Sequence, residues 1–155
     1  MNLRMPALDQ AIAAAVPLLH EHCRDAWVVI GSAAAALAGA NVEVGDLDLL
    51  TSVDDAEGLI ALWHERLDGV YEPAAGDRFR SRFARFRFPG MPVEVMGGLE
   101  LRETAGWQPI RVDEIVHVNC AGIPVPIPAA AEQIHILERF GRPKDLQRAE
   151  LLRAL

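Results

Sequence analysis

Two short apolar segments on either side of an alanine-rich one constrain the fold of this chain most. DAWVVIG (25–31) is rich in β-branched residues and predicts a central strand that is buried on both faces. SAAAALAGA (32–40) predicts a helix whose small side chains allow close packing against a sheet. GDLDLLTS (45–52) predicts the next strand. The thirteen residues between Ser32 and Asp46 suffice for a short helix and a loop, which return the chain beside its first strand.

Further helices are predicted before and after these strands. An Ala/Leu-rich helix over 6–23 begins with Pro6, which suits a first turn, and contains Pro17, which predicts a kink or a division into two. Another helix is predicted over 54–67, and two helices separated by Gly141-Arg142 close the chain.

Two hairpins are predicted between these helices. The PGMP turn joins RFRSRFARFRF (78–88) to VEVMG, and a turn at Ala121-Gly122 divides EIVHVNCAGIPVPIP (114–128). The arginines of the first hairpin change from even to odd positions, which predicts a bulge near Ala84 or a strand that begins only there. The predicted fold is therefore a single domain over residues 1–155 of the α/β (α+β) class, in which helices flank a small mixed sheet.

Composition and charge exclude several classes of protein. The net charge of −7 argues against binding nucleic acid through the whole surface, although residues 78–88 hold five of the fourteen arginines and no acid. That strip can contact a phosphate, or it is only a solvated strand face that discourages edge pairing. No apolar run approaches the ~20 residues that span a bilayer. We therefore expect no membrane partner. Because Cys23 and Cys120 are typical of free thiols in a reducing compartment, we expect a cytoplasmic protein.

Gly31-Ser32 stands where the first predicted strand ends and a helix begins. Free N–H groups at a helix N-terminus favour phosphate, a glycine lets the ligand approach the backbone, and the serine hydroxyl adds a donor. The same pair is common at strand-to-helix turns that bind nothing. By itself the pair is a weak indication of a phosphate site.

Three carboxylates occupy the polar positions of otherwise apolar strands. Asp46 and Asp48 alternate with leucines and therefore share one face of their strand, and Glu94 stands between two valines in PVEVMGG. Together they could hold two Mg²⁺ (or Mn²⁺) ions, which take carboxylate oxygens and keep substrate phosphates in their remaining positions. Taken singly, each carboxylate is as consistent with a solvated strand end or an exposed hairpin position.

The order of these features resembles the nucleotidyltransferase superfamily to which DNA polymerase beta belongs. The shared pattern is an apolar strand, Gly-Ser, about a dozen residues, Asp-Leu-Asp-Leu and then an apolar-carboxylate-apolar triplet. The closing segment IPVPIPAAAEQIHILERFGRPKDLQRAELL resembles the last helices of small bacterial members, including toxin-type relatives of the abortive-infection nucleotidyltransferases. The resemblance covers residues 26–52, 83–97 and 123–152, and it implies the nucleotidyltransferase fold with C-terminal helices.

The resemblance also implies an activity and a role for each candidate residue. A nucleoside monophosphate would pass from a nucleoside triphosphate to a hydroxyl of a protein, an RNA or a small molecule, with divalent metal as the cofactor. Gly31 and Ser32 would hold the triphosphate tail. Asp46 and Asp48 would bind both metals, and Glu94 would bind the metal beside the acceptor and take the proton of its hydroxyl.

Lys144 and two arginines are further candidates around this site. Lys144, in the ending GRPKD, is the single lysine; it is expected near the nucleotide, although solvation of a helix end explains it almost as well. Arg85 and Arg87 are expected near Glu94 and could contact phosphate or acceptor. Because the sequence contains no separate acceptor-binding domain, a protein partner or a homo-oligomer is expected to complete the site.

The chain departs from the family pattern at several positions. Val42 and Val44 stand where relatives often have an arginine and a threonine, and Glu94 replaces the usual third aspartate. A common lysine is replaced near Leu137, and a later aspartate falls at Arg148. These departures favour an alternative, a catalytically inactive nucleotidyltransferase-fold protein that binds a nucleotide or a protein partner for regulation.

Overall fold

The computed structural model describes residues 5–71 and 78–155. Within these residues the helices are α1 (Pro6–His22), α2 (Gly31–Leu37), α3 (Val53–Leu62), α4 (Ala130–Phe140) and α5 (Pro143–Arg153). The strands are β1 (Val28–Ile30), β2 (Leu47–Thr51), β3 (Leu67–Tyr71), β4 (Phe79–Phe86), β5 (Val93–Glu103), β6 (Gly106–Pro109), β7 (Ile115–Cys120) and β8 (Ile123–Pro128). None of these helices combines the length and the apolarity that crossing a bilayer requires.

The strands form one mixed sheet and one separate hairpin. The sheet has the order β1-β2-β5-β4-β3, and β6 pairs with the distal part of β5. The pair β2–β5 is parallel and the other pairs are antiparallel. Among the described strands, β7 and β8 pair only with each other, around the predicted turn at Ala121-Gly122, where both residues have positive φ. The α/β class with a small mixed sheet and two C-terminal helices is thereby confirmed.

Alternation along the central strands separates two layers of core. Leu47 and Leu49 of β2 and Val93 and Val95 of β5 face the side covered by α1 and α3, and all four are essentially inaccessible to solvent. The opposite face carries a smaller apolar cluster with α4, formed by Val28, Ile30, Leu50, Leu99, Leu101, Ile110, Ile136 and Phe140. The intervening positions of β2 and β5 therefore point toward α4 and α5, and this face holds the candidate site.

Two predictions about the strands are wrong. β1 is buried on both faces but lies at the end of the strand order, because β2 runs antiparallel to it and separates it from β5. β4 has no bulge near Ala84. The irregularity lies between Arg80 and Arg82, where β5 contributes an additional residue at Gly98, whose φ is +62°. The arginines of β4 consequently lie on both faces of the sheet.

Two further differences concern elements rather than registers. α1 is a single helix through Pro17, and the predicted helix over 54–67 ends at Leu62 and is followed by a short 3₁₀ turn. β3 and β6 were not predicted, since LDGVY and GWQP carry glycine and proline in runs too short to show alternation.

The buried carboxylate of Asp55 joins α3 to the loop before β1. Its oxygens accept hydrogen bonds from the backbone N–H groups of Arg24 at 3.1 Å and Asp25 at 2.8 Å. Ser52 caps the same helix by accepting a hydrogen bond from the N–H of Asp55. These bonds fix the start of β1, which leads directly into the candidate site.

Replacing Asp55 should destabilise the fold without touching that site. Asp55→Ala leaves two backbone donors unpaired in a buried environment, so we expect the free energy of unfolding to fall by about 2–3 kcal/mol. Urea denaturation measures the change. Asp54→Ala, one position earlier and exposed, is the matched control and should lose less than about 0.5 kcal/mol. Equal losses in the two variants would contradict this role of Asp55.

Candidate metal and nucleotide site

The structure brings the three predicted carboxylates together. Asp48 lies in β2 directly opposite Glu94 in the neighbouring parallel strand, and Asp46 stands just before β2. One oxygen from each carboxylate lies within 4.8 Å of the others. The cluster is a direct consequence of the register, because a shift of one residue would point Glu94 into the apolar core.

Asp48 has an unusual environment within this cluster. Its Oδ1 atom is buried and has no hydrogen-bond partner in the part of the chain that the structure describes. Burial first, and then the neighbouring Asp46 and Glu94, raise the pKa of Asp48 well above its ordinary value. A carboxylate in this position fits a cation ligand, since a bound cation would supply the missing partner and remove the repulsion.

Gly31 allows the backbone to approach this carboxylate. It has φ of +69°, which a side chain disfavours, and a Cβ atom there would lie 3.0 Å from Asp48 Oδ2. Ser32 follows at the start of the seven-residue helix α2 and is 5% exposed. The predicted Gly-Ser pair therefore adjoins the predicted aspartates in space.

A cavity of about 300 Å³ opens over the cluster and over Gly31 and Ser32. Apolar side chains from the sheet and from α4 line part of it: Ile30, Phe79, Phe83, Met96, Leu99, Leu137 and Phe140. The cavity thus has acidic, backbone and apolar walls side by side, which suits a ligand that carries both phosphate and a ring.

The start of α5 contributes a cationic wall to the same cavity. Arg142, Lys144 and Arg148 all line it. Arg142 is 2.6 Å and Arg148 4.0 Å from the fully buried Asp145, so both are held by one carboxylate. Lys144 is exposed and has no carboxylate within 4.0 Å among the described residues. Lys144 is therefore the cation of this wall that is available to a ligand.

Two departures from the family pattern have a structural counterpart. Leu137, near which the family resemblance implies a lysine, is buried between α2 and α5 and also lines the cavity. Arg148, at a position where the family resemblance implies an aspartate, faces Asp145 on the same helix. Among the described residues, the cations that line the cavity are Arg80 of β4 together with Arg142, Lys144 and Arg148 at and within α5, and none of them lies in α4.

Arg85 contacts the cluster directly and Arg87 does not. Arg85 lies opposite Glu94 in the β4–β5 pair, and its Nη1 donates a hydrogen bond of 2.7 Å to Glu94 Oε2. This bond is the main reason that the pKa of Arg85 is raised. Arg87 instead pairs with Asp68 at 2.8 Å. Asp68 was not identified from the sequence, because its strand β3 was not.

Comparisons with known proteins agree with this geometry. No protein-family model matches the chain, and no curated protein matches its sequence. Solved structures do match. TM1012 from Thermotoga maritima, a proposed nucleotidyltransferase, has a TM-score of 0.68 at 26% identity, with 90% of each chain covered.

Two further solved structures have a similar fold at lower identity. The lincosamide antibiotic adenylyltransferase LnuA, with lincomycin bound, has a TM-score of 0.60 at 11% identity, and 99% of each chain is covered. The resistance factor ANT(2'')-Ia has a TM-score of 0.62 at 10% identity, with 97% of this chain and 85% of that chain covered. The fold, the placement of the carboxylates and these comparisons lead to one assignment: the chain belongs to the nucleotidyltransferase superfamily.

Proposed function

We propose that this protein is a metal-dependent nucleotidyltransferase, which moves a nucleoside monophosphate from a nucleoside triphosphate to a hydroxyl acceptor. The observation that carries the proposal is the buried and unpartnered oxygen of Asp48, within a cluster of three carboxylates that opens into a cavity with a cationic wall. A solvated strand end would leave that oxygen accessible to water. The cluster and the cationic wall together suit a metal-bound triphosphate.

Asp46, Asp48 and Glu94 are the residues that would hold Mg²⁺ or Mn²⁺. Their oxygens are hard ligands, and they converge within 4.8 Å on one side of the sheet. When bound, such ions neutralise phosphate charge and make the acceptor hydroxyl more acidic. The side chain of Glu94 is 18% exposed and that of Asp46 is 34% exposed, so Glu94 is the more buried of these two ligands.

The chain's own groups position the substrates. The backbone at Gly31 and Ser32 would bind the triphosphate tail, and Lys144 would contribute a positive charge to the same phosphates. The acceptor oxygen would attack the α-phosphorus while the bond to pyrophosphate breaks. Glu94 would take the proton of the acceptor hydroxyl.

The acceptor stays open between a protein side chain, an RNA end and a small hydroxylated molecule. LnuA is an adenylyltransferase of lincosamide antibiotics, but at 11% identity that similarity supports the fold and not an acceptor. A toxin–antitoxin setting, a cytoplasmic location, a single domain over residues 1–155 and a partner or homo-oligomer that completes the site stay predictions.

A catalytically inactive, nucleotide- or partner-binding regulator is the second candidate. It is favoured by the replacement of a family lysine near Leu137, which here is a buried apolar residue. Lys144 lies in the same cavity and could supply the charge that Leu137 lacks. The two candidates differ in whether a bound nucleotide is converted.

Calorimetric titration of each nucleoside triphosphate, with and without Mg²⁺, tests the site. We expect one or more nucleotides to bind the wild type only with Mg²⁺, because the carboxylates otherwise repel phosphate. The double variant Asp46→Asn/Asp48→Asn should weaken binding at least about tenfold. Asp54→Asn, an exposed acid outside the cavity, is the control and should bind like the wild type. Metal-independent binding of equal strength in all three proteins would overturn the proposal.

The pH dependence of stability tests the electrostatic cost of Asp48. Its pKa is raised in the folded protein, so the metal-free protein should lose stability as pH rises from the ordinary Asp value of 3.8 through the raised value. Asp48→Asn removes this loss. In EDTA at pH 8 we expect the variant to be more stable than the wild type by about 1 kcal/mol. Denaturation at several pH values measures the difference, and a variant less stable than the wild type at pH 8 would contradict it.

A further inference from the structure

Arg85 places a positive charge inside the carboxylate cluster. Its Nη1 atom lies 2.7 Å from Glu94 Oε2 and 4.0 Å from Asp46 Oδ2, and its Nε atom lies 3.7 Å from Asp68 Oδ2. The guanidinium therefore offsets part of the negative charge of two of the three proposed metal ligands. The third proposed ligand is Asp48, whose buried Oδ1 atom has no hydrogen-bond partner among the described residues.

A divalent cation and this guanidinium would compete for the same two carboxylates, Glu94 and Asp46. A cation held by all three carboxylates would lie close to Nη1, which is 2.7 Å from Glu94 Oε2. The cation and the guanidinium would then repel each other, and more strongly than in bulk water. Arg85 can retreat, because its side chain is 37% exposed and Asp68 offers a second carboxylate away from the cluster. Arg87 holds the other oxygen of Asp68 at 2.8 Å, so Asp68 stays in place as that alternative partner.

We propose that Arg85 is an internal counter-cation that competes with the divalent metal for Glu94 and Asp46 and so lowers the metal affinity of the site. In the metal-free protein, Arg85 supplies part of the positive charge that a bound metal ion would bring to the carboxylates. When metal binds, the guanidinium of Arg85 leaves Glu94 and keeps only its contact with Asp68. The inference depends on the metal site of the proposed function, but it concerns a residue outside the Gly-Ser and carboxylate pattern.

The test is the affinity for Mn²⁺ alone, without nucleotide, measured by electron paramagnetic resonance of the free ion at pH 8. Arg85→Gln removes the charge and keeps a hydrogen-bonding side chain of shorter length. We expect it to bind Mn²⁺ at least about fivefold more tightly than the wild type. Arg85→Met, which keeps much of the length without the charge, repeats the test should Arg85→Gln fold poorly.

Arg82→Gln is the matched control, because Arg82 lies in the same strand β4 and pairs with Glu57 of α3 on the opposite face of the sheet. It should leave the Mn²⁺ affinity within about twofold of the wild type. Unchanged or weaker Mn²⁺ binding by both Arg85 variants, with clear binding by the wild type, would overturn the competition and leave the metal site intact. No Mn²⁺ binding by the wild type or by any variant would overturn both proposals.

Discussion

The parallel pairing of β2 with β5 is the interaction on which the rest of this site depends. It places Asp48 opposite Glu94 on the face toward α4 and α5, where the two like charges repel each other and oppose the pairing. The other face compensates, because Leu47 and Leu49 pack beside Val93 and Val95 in the main core. Burial of these four side chains specifies a register that repulsion between the carboxylates alone would oppose.

The same register gives the two faces of the sheet different compositions. The face toward α1 and α3 is almost entirely apolar and provides stability, whereas the face toward α4 and α5 combines carboxylates, aromatic rings and the cations at the start of α5. Arg82 and Arg85 illustrate the division within one strand. Arg82 pairs with Glu57 of α3, on the face toward α1 and α3, and Arg85 pairs with Glu94 on the face that holds the candidate site.

Much of this arrangement could be predicted from local sequence. Asp46, Asp48 and Glu94 alternate with apolar residues, and alternation is a reliable indicator of which face a strand residue occupies. Gly31 marks a turn that only a residue tolerant of positive φ adopts readily. Lys144, which the closing segment singles out, lies on the wall of the same cavity, and its contact with a nucleotide stays a prediction.

Strand order and the full set of partners of Arg85 could not be predicted in this way, although Arg85 was expected near Glu94. A buried run such as VVI looks identical in a central strand and in an end strand that is covered by other elements. The pairing of Arg85 depends on the exact register of β4 against β5, and the shift at Gly98 leaves that register unspecified by the arginine pattern. Asp68 lies in a short strand with no detectable alternation, so its contact with Arg85 appears only in three dimensions.

The most direct test of the central claim is a crystal structure with Mn²⁺ and a non-hydrolysable nucleoside triphosphate, with the ion located by its anomalous scattering. The account predicts a Mn²⁺ peak within about 2.0–2.4 Å of oxygens from both Asp46 and Asp48, with the triphosphate beside Gly31 and Ser32. A nucleotide bound elsewhere, or a peak that no carboxylate of the cluster ligates, would contradict it.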